Sequence, residues 1–198
     1  MMKKWVLVAM VLFTTASMAF ALEVGGISLK DKIKAGNTDL VINGAGLRTV
    51  LTFKVYAIGL YLKAKSSDAS AIVNGNEPMA LSMKWRMKSP PSRIDETYYK
   101  SFAQVLKAPP AKNYGPTSDL GPMTKDVRTF MGWIDKNDAQ KDDVWTYVYV
   151  PGKGTEVYVN DQLKGTIAGQ EFKKVLFSIW LGDKPPVGEG LKKQLLGK

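Results

Sequence analysis

Apolar positions along this chain follow two periods, and the periods change over in blocks rather than strand by helix. Glu23 to Lys30 alternates loosely and predicts a first strand, followed by a polar stretch through Thr38. Asp39 to Asn43 is strand-like, and Gly44 and Gly46 are expected to break it. Val50 to Lys63 is the longest β-type run, rich in Val, Phe, Tyr and Ile. Leu51, Phe53, Val55, Ala57 and Tyr61 share one parity, and Tyr56, Ile58, Leu60 and Leu62 the other. Apolar residues on both parities predict a central strand, covered on both faces over at least its second half. Met79, Leu81, Met83, Trp85 and Met87 alternate as one face of a further strand. Val144–Val150, Thr155–Val159 and Gln162–Ile167, parted by Pro151–Gly154 and by Asn160-Asp161, read as a β-meander.

The helical period appears in between. Ser66–Asn76 predicts a short helix and turn, with Gly75 as its stop. Ile94, Tyr98, Phe102 and Val105/Leu106 form the buried stripe of a longer helix. Ser89 or Ser92 is its expected cap, Pro90 or Pro91 suits its first turn, and Asp95-Glu96 favours its positive end. After a Gly/Pro-rich loop over 114–123, Met123, Val127, Phe130, Met131 and Ile134 mark another helix. Phe172, Val175, Leu176 and Ile179 mark a closing one, and an amphipathic segment runs from Val187 to Leu196. Strands and helices segregated in this way indicate an α+β fold with an antiparallel sheet.

The first 21 residues have a different character. Lys3 and Lys4 precede an uncharged apolar run from Trp5 to Phe13, and small residues follow to Ala19-Phe20-Ala21. That order predicts a signal peptide cleaved after Ala21, hence a periplasmic or secreted protein with one domain over 22–198. The apolar run is too short to span a bilayer, which takes roughly 20 residues as helix. Export usually brings disulfides, but the chain has no cysteine, so its stability rests on packing. It also has no histidine. Thiolate and imidazole metal sites, haem ligation by histidine and histidine acid–base chemistry are thereby excluded. The acids show no acid–base pair or calcium-loop spacing, and no nucleotide-binding glycine motif is present. No cofactor and no metal are expected.

Net charge is +10, of which Lys3 and Lys4 contribute two. Lysines such as Lys30, Lys63, Lys65, Lys173 and Lys174 are scattered, which reads as a solvated surface rather than a nucleic-acid site. Such a surface also suits peripheral contact with an anionic membrane.

Three segments carry a resemblance. The first is Leu40-Val-Ile-Asn-Gly-Ala-Gly-Leu-Arg48 with Phe53-Lys-Val-Tyr-Ala-Ile-Gly-Leu-Tyr-Leu62. The second is Gly154-Thr-Glu-Val with the turn to Gly165. The third is Gly169-Gln-Glu-Phe172 leading to Ile179-Trp-Leu-Gly182 and Leu195-Leu-Gly197. Their order and spacing resemble the bacterial chalcone isomerase-like proteins. The resemblance implies an open-faced β-sandwich, a large antiparallel sheet layered with helices, and a ligand cleft between them.

It also implies site residues. Arg48 matches the arginine that holds negative charge in the family's plant enzymes, and Ser178 falls where they carry a serine or threonine. Tyr56 stands in place of a central-strand threonine, Met87 or Lys88 near the catalytic tyrosine, and Thr97 near an asparagine. These departures argue against isomerase activity, because an oxyanion-type site needs several converging donors. An arginine beside a phenol still suffices to bind a carboxylate. Arg48, Tyr56, Ser178 and Thr97 are therefore the candidate ligand-binding residues, for a fatty acid or similar hydrophobic carboxylate. Two other functions stay open: an intramolecular lyase acting on a phenolic enone, and an envelope structural or partner-binding protein without a working cleft. Purely structural roles are open to these residues as well. Arg48 can cap a strand or pair with Asp39, and Tyr56 and Trp180 can be packing alone. Arg48 and Tyr56 lie eight residues apart, about 26 Å along a straight strand. They can share a site only if the chain turns between them, near Thr49–Thr52.

Overall fold

The computed structural model describes residues 22–134 and 138–198, so the expected signal peptide lies outside the described residues. Seven strands form one antiparallel sheet in sequence order: β3 (Lys32–Ala35), β4 (Thr38–Val50), β5 (Phe53–Leu62), β6 (Met79–Trp85), β7 (Val144–Val150), β8 (Gly154–Val159) and β9 (Gln162–Ile167). Two further strands, β1 (Leu22–Val24) and β2 (Ile27–Leu29), pair as a separate hairpin. Among the described residues, five α-helices accompany the sheet: α1 (Ala69–Asn74), α2 (Pro91–Leu106), α3 (Thr124–Ile134), α4 (Glu171–Leu181) and α5 (Glu189–Leu195). The α+β class and the antiparallel sheet with its helical layer are as the periods indicated.

The two parities of β5 explain the layering. Ile58, Leu60 and Leu62 join the large core, together with Phe102 of α2, Phe130 of α3 and Phe172 and Leu176 of α4. Ala57 instead meets Ile27 and Leu29 of the β1–β2 hairpin, and Tyr61 packs with Ala35, Leu40, Ala80 and Val148. The strand is thus buried on both faces from Tyr56 onward, as its composition predicted.

Several local expectations are corrected. The 23–30 segment is a hairpin turning at Gly25-Gly26, both at positive φ, rather than one strand. The polar stretch before Thr38 contains β3, a short lysine-bearing edge strand paired with β4. Gly44 and Gly46 do not break β4, which runs on to Val50. They serve packing instead. A Cβ on Gly44 would lie 2.3 Å from the Gln194 carbonyl oxygen, and one on Gly46 would lie 2.2 Å from Gln194 Oε1. Helix α5 rests directly on the strand there. Asn43 holds the contact by donating to the Leu195 and Ser66 carbonyls, each at 2.9 Å.

Helix α2 starts at Pro91, with Pro90 as a cap that offers no side-chain bond. Ser89 is instead tied through its backbone to Ala139, and Asp95-Glu96 fall beyond the first turn. One lysine departs from the expected solvated surface. Lys173 is fully buried, and its ammonium donates to the carbonyls of Val73 at 2.7 Å and Gly75 at 2.6 Å, closing the C-terminal end of α1.

Candidate functional site: a cleft between the sheet and helix α2

The chain does turn between Arg48 and Tyr56. Strands β4 and β5 form a hairpin through Leu51-Thr52, and the ladder sets Arg48 directly opposite Tyr56. Directly opposed residues hold their Cβ atoms about 5 Å apart. A register shift between Arg48 and Thr49 bends the hairpin at this point. Eight residues of sequence separation therefore become one rung of the ladder.

Both residues open onto a cleft of about 810 Å³. The ends of β5 and β6, the start of α2, the end of α4 and the Pro186-Val187 loop enclose it. Its walls are largely apolar and aromatic: Val55, Trp85, Ile94, Tyr98, Ile179 and Trp180. This size lies within the range of about 300–1,000 Å³ usual for small-molecule sites. A second depression, about 490 Å³, lies over Ser67–Ser70, Lys192 and Lys198, where only Ala69 and Leu196 add apolar surface.

Each polar group of the cleft has a definite state. Arg48 Nη1 donates to the Val187 carbonyl at 2.8 Å, which fixes the guanidinium and leaves further donors of its fork for another acceptor. The Trp180 indole donates to the Tyr56 hydroxyl at 3.1 Å. An indole N–H can only donate, so Tyr56 keeps its own proton to give. Burial raises the Tyr56 pKa, with the Trp180 bond and the Arg48 charge opposing that shift. The phenol is thus neutral and acts as a donor, beside a cation. Deeper in, the Tyr98 and Tyr147 hydroxyls pair at 2.6 Å, and burial pushes the Tyr98 phenol well up.

Of the four candidate residues, Arg48, Tyr56 and Thr97 line the cleft, and Thr97 sits exposed on its α2 wall. Ser178 does not. Its hydroxyl donates to the Lys174 carbonyl one turn back along α4, at 2.7 Å, so it is occupied within its own helix. A serine in a helix commonly bonds the i−4 carbonyl in this way. Met87 and Lys88 both reach the cleft, and Lys88 also pairs with Asp138 at 2.5 Å. Arg48 makes no pair with Asp39, whose partner is Lys34 at 2.8 Å. Trp180 is buried in the core as packing alone would have it, and it also orients Tyr56. Residues missed at the sequence level include Ile94, Gln104 and Val187. The Pro185-Pro186 pair was the available signal for Val187, since it forces an extended turn beside the helix end.

A model of the chalcone isomerase-like family matches residues 21–197. The chain belongs to the chalcone isomerase-like family. Among solved structures, the crystal structure of a fatty-acid-binding protein of Arabidopsis thaliana has the same fold, with a TM-score of 0.67. It is 14% identical, and the match covers 86% of this chain and 92% of that one. Among curated protein sequences, none matches. At that identity the likeness is one of fold: the curled seven-stranded sheet with its helical layer is the chalcone isomerase-like architecture.

Proposed function

We propose that this chalcone isomerase-like protein is exported and binds a fatty acid or similar hydrophobic carboxylate without converting it. The carboxylate sits against Arg48 and Tyr56, and the apolar tail lies along the aromatic walls. The observation that carries this reading is the cross-strand placement of Arg48 opposite Tyr56 in an apolar cleft. A fixed guanidinium and a phenol that has a proton to give are both donors, and a carboxylate is an acceptor with two oxygens. The fold likeness to a fatty-acid-binding protein supports the same ligand class.

The lyase alternative is less well supported by the cleft. Ring closure of a phenolic enone needs a base for the phenol and converging donors for the enolate. Tyr56 is held protonated, the Ser178 hydroxyl is bound within α4, and Glu96, the carboxylate that the described residues bring to the cleft wall, is exposed on α2. The structural-protein alternative expects no cleft and a surface ion pair at Arg48, and neither is the arrangement found.

Native mass spectrometry of the purified protein, with solvent extraction of whatever it carries, tests the reading. A co-purifying fatty acid, lost in Arg48→Ala, is the expected result. A protein that is empty and also ignores added long-chain fatty acids would overturn it. Turnover of a phenolic enone that Arg48→Ala abolishes would favour the lyase. The intact mass also reports export, since cleavage after Ala21 leaves a chain beginning at Leu22.

A further inference from the structure

The rim of the cleft has a feature that carboxylate binding does not require. Six large hydrophobic side chains stand exposed on the described residues, and four of them gather at this rim: Val50, Leu51, Phe53 and Met87. Leu51 is 90% and Phe53 60% exposed. Leu51 is also the first residue of the two-residue turn joining β4 to β5, and its φ is +54°. That is the left-handed region, where glycine or asparagine fits and a leucine is disfavoured. The tip therefore carries a leucine whose backbone conformation is disfavoured and whose apolar surface folding leaves in water.

Charge surrounds the same tip. Lys54 follows Phe53 and is exposed, and Arg93 and Lys100 project from the α2 wall, with Lys88 on the rim. Glu96, also on α2, opposes them, and Asp138 pairs with Lys88. Cations remain in excess. An apolar tip ringed by cations matches the boundary of an anionic bilayer, where side chains enter the acyl region and basic groups meet the headgroups. A protein partner is the poorer fit. A standard protein interface takes about 800 Å² from each side, with matched shape. A hairpin tip of a few side chains offers neither, and a fluid bilayer requires neither.

We infer that the β4–β5 hairpin tip, Val50–Phe53, docks this protein onto an anionic phospholipid surface with the mouth of the cleft facing the bilayer. Docking depends on the tip and its cations and not on occupancy of the cleft, so it can fail or stand separately from carboxylate binding.

Vesicle co-sedimentation tests this, with phosphatidylcholine vesicles against vesicles of equal parts phosphatidylcholine and phosphatidylglycerol. All variants share the wild-type N-terminus, so differences among them report the rim alone. The wild type is expected to partition onto the anionic vesicles and to do so less at high salt. Leu51→Asp/Phe53→Asp is expected to lower that partition about tenfold or more, and Arg93→Gln/Lys100→Gln to lower it several-fold. Leu51→Gly separates docking from folding: it relieves the backbone and should raise the melting temperature while weakening partition. Arg48→Ala should lose the carboxylate yet still sediment with vesicles. The inference is overturned if the wild type ignores anionic vesicles, or if the double aspartate variant binds them as well as the wild type does. Equal binding to neutral vesicles would overturn the role given to the cations.

Discussion

Arg48 and Tyr56 act as a pair because each is held by a third group that leaves its useful donor free. The Val187 carbonyl takes one guanidinium N–H, and the Trp180 indole occupies the Tyr56 lone pair rather than its proton. Arg48→Ala should therefore weaken binding of a long-chain fatty acid about ten- to a hundredfold with little change in melting temperature, checked by calorimetric titration. Tyr56→Phe, which removes one neutral hydrogen bond, should cost no more than about tenfold. Lys173 is a residue-scale case of a different kind. Its burial pushes its pKa down to about 8, whereas an unfolded chain keeps a lysine in its ordinary range. From about pH 8 upward to that range, the unfolded state binds the extra proton, so folding becomes more favourable as pH rises. Relative to Lys173→Met, the wild type should gain thermal stability through that window, measured as a difference of melting temperatures at each pH.

At the scale of elements, the β4–β5 hairpin makes the site, and α5 keeps its geometry. The helix lies so close to β4 that only glycine fits at two positions. Gly46→Ala would set a methyl carbon 2.5 Å from Leu191 Cδ1 as well as against Gln194, so helix or strand must shift. A loss of about 1–3 kcal/mol in denaturant unfolding is expected. Gly115→Ala, where an added Cβ meets nothing within 4 Å, should be near neutral and serves as the control. Displacing α5 also disturbs Val187, two residues before its first turn, and with it the anchor of Arg48. Gly46→Ala should accordingly weaken fatty-acid binding along with stability, whereas Gly115→Ala should change neither.

Over the whole molecule, one core joins sheet and helices without a disulfide, so reducing agent should leave the melting curve unchanged. What the sequence alone determined follows from its short-range patterns. Period-2 and period-3.6 runs placed β5 to β9, the first part of β4 and α1 to α5, because alternation and helical stripes are local consequences of which face is buried. The absence of histidine and cysteine narrowed the chemistry before any contact was known. The need for a turn between Arg48 and Tyr56 was also legible, from strand rise alone.

The tertiary structure decided the rest. Gly44 and Gly46 read locally as strand breakers, but they answer to a helix some 150 residues away in sequence, which no local period can reveal. Lys173 reads as a surface charge until the end of α1 is folded over it. Ser178 was assigned to the ligand by position in the chain, but the helix it belongs to claims its hydroxyl. Leu51 passes for an ordinary strand residue until the hairpin places it at a turn, exposed and at positive φ. In each case the deciding partner is distant along the chain or depends on where an element ends. Burial pattern is written locally, but the close approach of distant backbones is set only when the elements pack.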